Sequence, residues 1–359
     1  MTNNNLNPPK SKGHKSASMS TPTPPKLNEP FSSPIPTTTV APQPTQPRGD
    51  QPQFLDISLK APTQKQKLFD GEKPVNKITV LSLMRDCETY LLYFFKLMDS
   101  FIDRYDCEFE YFFLENDSKD NTNQMLTDWI ENREGNVLVY NLRDDYKKTS
   151  HGLDHGRTGT IGMLRNKLVN AVTPLTSEWT IFIDSNIFMD PSELGKLFAV
   201  EPAKNGYGMV CGYSNHLYPI SMLKKDARDK LSAEDQNKVV SVNHYYDTFS
   251  FVDKKYKMYY PNCPFEKCRL CTRNAIGSSG RNRIPVTENI VEVNSAFGGF
   301  CIIDSEILND PRIRWDSISY EIKMDLSLCE HFLFCDRLRV ITGKKIVLLQ
   351  DVDKIFRTK

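Results

Sequence analysis

From about Pro74 onward, two rhythms of apolar and polar positions take turns along the chain. The first is a short apolar run: Ile78 to Leu83, within NKITVLSLMR, reads as a buried strand. The second is a helical stripe: TYLLYFFKLMDSFIDRY, from Thr89 to Tyr105, repeats its apolar residues as an amphipathic helix does. CEFEYFFLEND then predicts a strand ending in polar residues, NTNQMLTDWIENRE a helix and NVLVYNL a third strand. TGTIGMLRNKLVNAV predicts a third helix and EWTIFIDSN a fourth strand. Strands alternating with helices predict an α/β fold with a doubly wound, mostly parallel sheet flanked by helices.

In such a sheet, ligands bind beyond the carboxyl ends of the strands. The residues that end these strands are Arg85-Asp86, Glu115-Asn116-Asp117 and Asp184-Ser185-Asn186, so they are expected along one edge. The last group interrupts WTIFIDSNIFMDP, an apolar stretch that would otherwise continue. A carboxylate there costs several kcal/mol if buried alone, roughly the penalty for an unpaired polar group. It therefore needs a turn to the surface or a positive partner.

Before Pro74 the rhythm is absent. Thirteen of the 22 prolines precede residue 67, among Ser, Thr, Asn, Gln and Lys, with Phe31 and Phe54 the aromatics. That composition buries too little apolar surface to offset its ordering entropy, so a disordered tail is expected over residues 1–73 and a folded domain over 74–359. Phe54-Leu55 and Leu68-Phe69 are candidates for pinning the end of the tail to the domain.

The 359 residues are 39% hydrophobic and 11% aromatic, enough for a substantial core. A net charge of +1 argues against a general nucleic-acid binder. No run approaches the ~20 apolar residues of a membrane span, and the start lacks an apolar signal region, so a cytoplasmic protein is expected. Most of the nine cysteines lie in apolar runs, where a reduced thiol behaves as a small hydrophobe. Cys263, Cys268 and Cys271 in CPFEKCRLC have metal-ligand spacing, but a zinc site needs a fourth ligand, and His244 is at no convincing spacing.

No strand is followed by the glycine fingerprint of a dinucleotide fold or by a P-loop. Acidic and amide residues stand there instead, which suits a nucleotide held by its base, its ribose and a divalent metal on its phosphates. Mg²⁺ and Mn²⁺ take carboxylate, carbonyl and water oxygens and need few protein ligands when phosphates supply the rest.

The order of segments resembles the GT-A glycosyltransferases, which act on nucleotide sugars and carry an Asp-x-Asp element at a strand end. FLENDSKDNT, MLRNKLV and WTIFIDSNIFMDPSEL, in that order, are similar to the fungal capsule-associated α-1,3-mannosyltransferase family. The resemblance spans roughly Ile78 to Arg339 and departs at Asn186, where a second carboxylate is expected. It implies a hexosyltransferase, with a GDP-mannose or UDP-sugar donor, Mn²⁺ or Mg²⁺, and a glycan or glycoprotein acceptor.

By the same resemblance, Arg85 and Asp86 border the nucleotide, and Glu115, Asn116 and Asp117 accept from its base or ribose. Arg165 and Asn166 lie on the helix before the Asp184 strand, where an Arg can reach a diphosphate. Asp184 and Asn186 are the expected metal ligands, with Asp351 or Asp353 as a late one. His151, His155 and Arg157 fall in a Gly-rich loop that would serve as a lid. In VNSAFGGFCIID, Gly298-Gly299 interrupts a strand and borders the transferred sugar. Glu330, in SLCEHFLFCDRL, is the candidate base or orienting carboxylate for the acceptor. The rival reading is a non-catalytic nucleotide- or carbohydrate-binding protein on a degenerate GT-A scaffold. A nucleotidyltransferase is disfavoured, since its Gly-rich phosphate loop is absent after Leu83.

Overall fold

The computed structural model of the protein describes residues 59, 62–142, 155–219, 239–245, 247, 249–256, 289–316, 319–321, 326–327, 329–352 and 355–357. Residues 1–58 of the expected tail, His151, Asp353 and the Cys263/Cys268/Cys271 cluster lie outside the described residues, and so does the side chain of His155.

The segment just before Pro74, which composition assigns to the tail, forms a hairpin of β1 (Phe69–Asp70) and β2 (Lys73–Pro74). It turns at Gly71, whose φ of 66° glycine adopts without cost. Leu68 is buried in the core, whereas Phe69 is exposed. The Gln66 N–H donates to the Arg104 carbonyl, and Asp70 accepts from Trp179 Nε1 at 3.0 Å and from the Ala203 N–H at 2.7 Å.

The expected alternation follows: β3 (Lys77–Met84), α1 (Glu88–Arg104), β4 (Glu108–Glu115), α2 (Thr122–Ile130), β5 (Gly135–Val139), α3 (His155–Val172) and β6 (Trp179–Ile183). Next come β7 (Ile187–Met189), α4 (Glu193–Ala199), β8 (Tyr207–Gly212), β9 (Asn215–Pro219), β10 (Val239–Tyr245) and β11 (Val252–Asp253). The remaining elements are β12 (Ile290–Ser295), β13 (Phe300–Asp304), α5 (Ser305–Asn309), β14 (Ser319–Glu321), β15 (Leu326–Ser327), α6 (Glu330–Thr342), β16 (Lys345–Leu349) and β17 (Ile355–Arg357).

Nine strands form the central sheet in the order β11-β12-β16-β8-β13-β6-β3-β4-β5. β3 runs parallel to β4 and β6, β4 to β5, and β8 to β16. β12 and β13 run against the others. The fold is the expected α/β sheet, mostly parallel and flanked by helices. VNSAFGGFCIID is two strands rather than one interrupted strand: β12 pairs with β16 and β11, and β13 inserts between β6 and β8. A second sheet, β10-β9-β17-β7, lies outside the first. Among the described residues, no helix is long and apolar enough to cross a membrane.

Alternation along the strands divides the core between the two faces of the sheet. Ile78, Val80, Trp179, Ile181 and Ile183 join the cluster that includes Phe94, Phe101 and Leu197 from α1 and α4. Leu81 and Phe182 join the other, with Leu164 and Leu168 of α3 and Phe334 and Leu338 of α6. Each such side chain contributes about 1.5–3 kcal/mol by leaving water. β6 is buried at every position, as its unbroken apolar run requires. The parity of its residues fixes the face that Asp184 meets next. It follows Phe182, on the side of α3 and α6.

Candidate active site

At Asp184 the chain leaves the central sheet. The Ile187 N–H donates to the Asp184 carbonyl at 3.2 Å, closing a turn through Ser185 and Asn186, and β7 then pairs with β17 of the second sheet. The apolar run breaks there because it belongs to two sheets. Extended alternation therefore does not carry past Asp184.

Asp184 also meets a positive partner. Arg165 Nη2 lies 3.8 Å from Asp184 Oδ1, and Arg165 Nη1 pairs with Glu330 Oε1. Thr158, Gly162, Arg165 and Val169 recur at helical spacing along α3, which brings the guanidinium in with the apolar face. Its Cζ lies 5.0 Å from the ring centre of Phe297 and 5.8 Å from that of Phe182. Arg165 and Glu330 are each only 5% exposed, so the pair is part of the interior. Glu330 opens α6, whose buried residues Glu330, His331, Phe334, Cys335 and Leu338 share one stripe. Its charge is engaged by Arg165, with Nε2 of His331 at 3.7 Å from the same oxygen.

Gly162 explains how α3 and α6 come so close. A Cβ there would stand 3.4 Å from Glu330 Cβ and 3.5 Å from Trp315 Cβ. His155 and Arg157, expected in a loop before this helix, belong to its first turn, so α3 begins earlier than the sequence predicts. Asn166 is engaged by backbone. Its amide donates to the Trp315 carbonyl at 2.7 Å and accepts from the Trp315 N–H at 2.9 Å. This fixes the loop whose Trp315 Nε1 donates to His331 Nδ1 at 3.2 Å. Burial, and after it the Arg165 charge, holds the His331 pKa well below its ordinary value, so the ring is neutral with its proton on Nε2. Phe297 stacks on that ring at 4.2 Å.

Gly298 and Gly299 close the other side of Asp184. Both have positive φ, 71° and 75°, and the Gly299 carbonyl accepts from the Asp184 N–H at 2.8 Å. A Cβ on Gly299 would approach Ile187 Cδ1 to 2.6 Å and Asp184 Oδ2 to 3.5 Å. Sequence reasoning missed Asp247, which accepts from the Gly298 N–H at 3.1 Å and from Ser250 Oγ at 2.5 Å. Burial is the main cause that lifts its carboxyl to about 6; the bonds from Ser250 and Gly298 oppose the rise, and the fields of Asp184 and Glu330 add to it. Its sequence neighbourhood, NHYYDTF, carries no pattern that singles it out.

The ends of β3 and β4 form a second group on the same edge. Asp86 and Asp117 both have positive φ, 46° and 50°, unusual for residues with a side chain. Their loops are cross-linked: the Asp86 N–H donates to Ser118 Oγ at 3.0 Å, and Asp86 Oδ1 accepts from the Lys119 N–H at 2.7 Å. Glu115 is buried and accepts from the Ser118 N–H at 2.7 Å, and Asn116 is buried beside it. Asp117 accepts from the Leu142 N–H at 2.8 Å. Arg85 remains half exposed, 3.6 Å from Asp86.

Asp351 follows β16 at the same edge, but β8 and β13 separate that strand from β6. It is exposed, and its carbonyl accepts from Lys196 Nζ at 2.7 Å. Among the described residues, no group of three or more His, Cys, Asp or Glu side chains could hold a metal ion. Of the expected ligands, Asp184 follows β6 and Asn186 precedes β7, whereas Asp351 follows β16.

No family model matches the chain, and no curated protein does. Among solved structures it is similar to S. aureus TarS, at 14% identity and a TM-score of 0.42, over 79% of this chain and 37% of that one. It is similar to S. aureus TarS 1-349 in complex with UDP-GlcNAc at 15% identity and a TM-score of 0.40, over 79% and 58% of the two chains. With the same protein in complex with UDP the values are 15% and 0.42, over 79% and 60%. The chain thus spans from 37% to 60% of the length of these TarS structures.

Proposed function

We propose that this chain is a glycosyltransferase that moves a sugar from a nucleotide-sugar donor to a hydroxyl of a glycan or glycoprotein. One observation carries the reading. Asp184 ends a fully buried strand at the carboxyl edge of the sheet, with the Gly298-Gly299 turn on one side and the buried Arg165–Glu330 pair behind it. A turn without side chains lets a sugar ring approach the backbone, and Asp184 stands where a donor diphosphate would end.

In this reading Glu115, Asn116, Asp86 and Asp117 receive the base and ribose, since carboxylate and amide oxygens accept their N–H and O–H groups. Arg85, half exposed, borders the phosphates. Arg165 acts through Asp184, because both of its terminal nitrogens face carboxylates. Glu330 holds Arg165 in place, an orienting role rather than proton abstraction.

Asp184 offers one carboxylate, which fits Mg²⁺ or Mn²⁺ when donor phosphates and water supply most ligands. Such an ion would offset charge on the leaving diphosphate. The resemblance to the fungal mannosyltransferases favours GDP-mannose, with a UDP-sugar as the other candidate. The engagement of Glu330 by Arg165 favours one second reading, a non-catalytic binder of nucleotide sugars, because it removes the candidate base.

A thermal-shift panel of UDP, GDP, CDP and their sugar conjugates, with and without Mn²⁺, tests the proposal, followed by transfer assays with any stabilising donor. Stabilisation by a nucleotide sugar with turnover supports it. Stabilisation without hydrolysis or transfer supports the binder, and no stabilisation by any member overturns both.

A further inference from the structure

We infer that Asp247 is a positioning residue of this site: it clamps the Gly298-Gly299 turn and, through that turn, sets the place of Asp184. The inference rests on reading Asp184 as the donor-facing carboxylate.

The turn joins β12 to β13, two strands that do not pair with each other, so strand pairing leaves its own polar groups unassigned. Three separate segments take them up. Asp247 Oδ2 accepts from the Gly298 N–H at 3.1 Å, Ser214 Oγ donates to the Gly298 carbonyl, and the Asp184 N–H donates to the Gly299 carbonyl at 2.8 Å. Asp184 and Asp247 thus grip adjacent residues of one turn. Both glycines have positive φ, so the turn has wide conformational freedom of its own, and external bonds must select one conformation.

Asp247 is held as firmly as it holds. Ser250 donates to Asp247 Oδ2 from Oγ at 2.5 Å and to Oδ1 from its N–H at 3.3 Å, and Ser250 Oγ also lies 3.2 Å from the Asp247 carbonyl. Every hydrogen bond to the carboxylate comes from a donor, as an acceptor-only group requires. A third carboxylate within the fields of Asp184 and Glu330 is an expensive choice for plain packing, and its raised proton affinity reflects that cost. Groups so perturbed concentrate where function needs them.

The test compares Asp247→Ala and Asp247→Asn with the unaltered full chain by hydrogen–deuterium exchange and by nucleotide-sugar binding. Losing one hydrogen bond should speed exchange at the Gly298 and Asp184 amides about five- to tenfold in Asp247→Ala, with the amides of β3 and β4 unchanged. Asp247→Asn keeps an acceptor oxygen and should restore most of the protection, and donor affinity should follow the same order. Unchanged Gly298 exchange in Asp247→Ala overturns the assignment. So does an Asn variant as unprotected as the Ala variant, because the charge rather than the clamp would then matter. If Asp247→Ala does not fold, Ser250→Ala must still speed Gly298 exchange, and no change there overturns the assignment equally. If exchange behaves as expected but the unaltered chain binds no nucleotide sugar, the clamp stands and the transferase reading falls.

Discussion

Arg165 and Glu330 form an ion pair inside the protein, at 5% exposure each, between two helices brought together by Gly162. Burying either charge alone costs several kcal/mol, and their attraction offsets this only while both are present. Sequence reasoning makes Glu330 a candidate base or orienting carboxylate for the acceptor, and nothing local to SLCEHFLFCDRL signals that it is buried against Arg165.

Glu330→Gln should therefore destabilise the fold by about 3 kcal/mol, the lower range for breaking a buried pair, because Arg165 keeps its charge and loses its main partner. Urea unfolding measures it. Replacing both residues, Arg165→Met with Glu330→Leu, should recover most of that stability without recovering transfer. A cost below ~1 kcal/mol for the single change would return Glu330 to the class of weak surface pairs.

Asp184→Asn addresses the other carboxylate near Arg165. Asp184 is the more exposed of the two, with 27% of its side chain accessible, so this change should leave the unfolding midpoint nearly unaltered. Nucleotide affinity should lose its dependence on Mn²⁺. Equal Mn²⁺-dependent binding by the variant and the unaltered chain would reduce Asp184 to a strand-ending turn residue.

How far the sequence reveals these features depends on the range of the interactions behind them. The alternation of β3, α1, β4, α2, β5, α3 and β6 is legible because each element's apolar period is local. So is the placement of Arg85, Glu115 and Asp184 on one edge, which follows from parallel strands. The course of VNSAFGGFCIID is not legible, because β13 finds its partners in β6 and β8, far away in the chain. Asn166 lies in a motif that resembles a catalytic family, yet its partner is the Trp315 backbone, 149 positions away. Asp247 gives no local signal at all. Its importance arises only when Gly298 folds against it.

Gly299→Ala should be damaging for two independent reasons. A φ of 75° is strained for alanine, at roughly 1–2 kcal/mol. The added methyl would also stand 2.6 Å from Ile187 Cδ1, against the turn that carries Asp184. Calorimetry should show a lower melting temperature together with weaker donor binding. A variant with unchanged affinity would mean that the turn does not shape the site.

The N-terminal boundary of the domain can be tested by truncation. A chain beginning at residue 62 keeps Leu68 in the core, the Gln66 bond to Arg104 and the Asp70 bonds to Trp179 and Ala203. A chain beginning at residue 75 loses all of them. Burial of Leu68 alone is worth about 1.5–3 kcal/mol, so the second truncation should unfold at clearly lower urea than the first. Equal midpoints would show that the hairpin contributes nothing to stability.

Asp247 should leave a signature in the pH dependence of stability. An aspartate ordinarily titrates near 3.8, and burial in the fold raises Asp247 to about 6. Between those values the folded chain keeps a proton that the unfolded chain releases, so through this group acidification favours the fold. The contribution is full below the unfolded value and fades as pH rises through about 6. Asp247→Asn mimics the protonated form at every pH and keeps an acceptor oxygen for Gly298. The variant should melt above the unaltered chain at pH 7, and that advantage should shrink toward pH 5. The carboxylates of Asp184 and Glu330 and the charge of Arg165 are common to both proteins, so the difference in melting temperature isolates Asp247. An advantage that is constant or grows on acidification would show that Asp247 does not hold its proton more tightly in the fold.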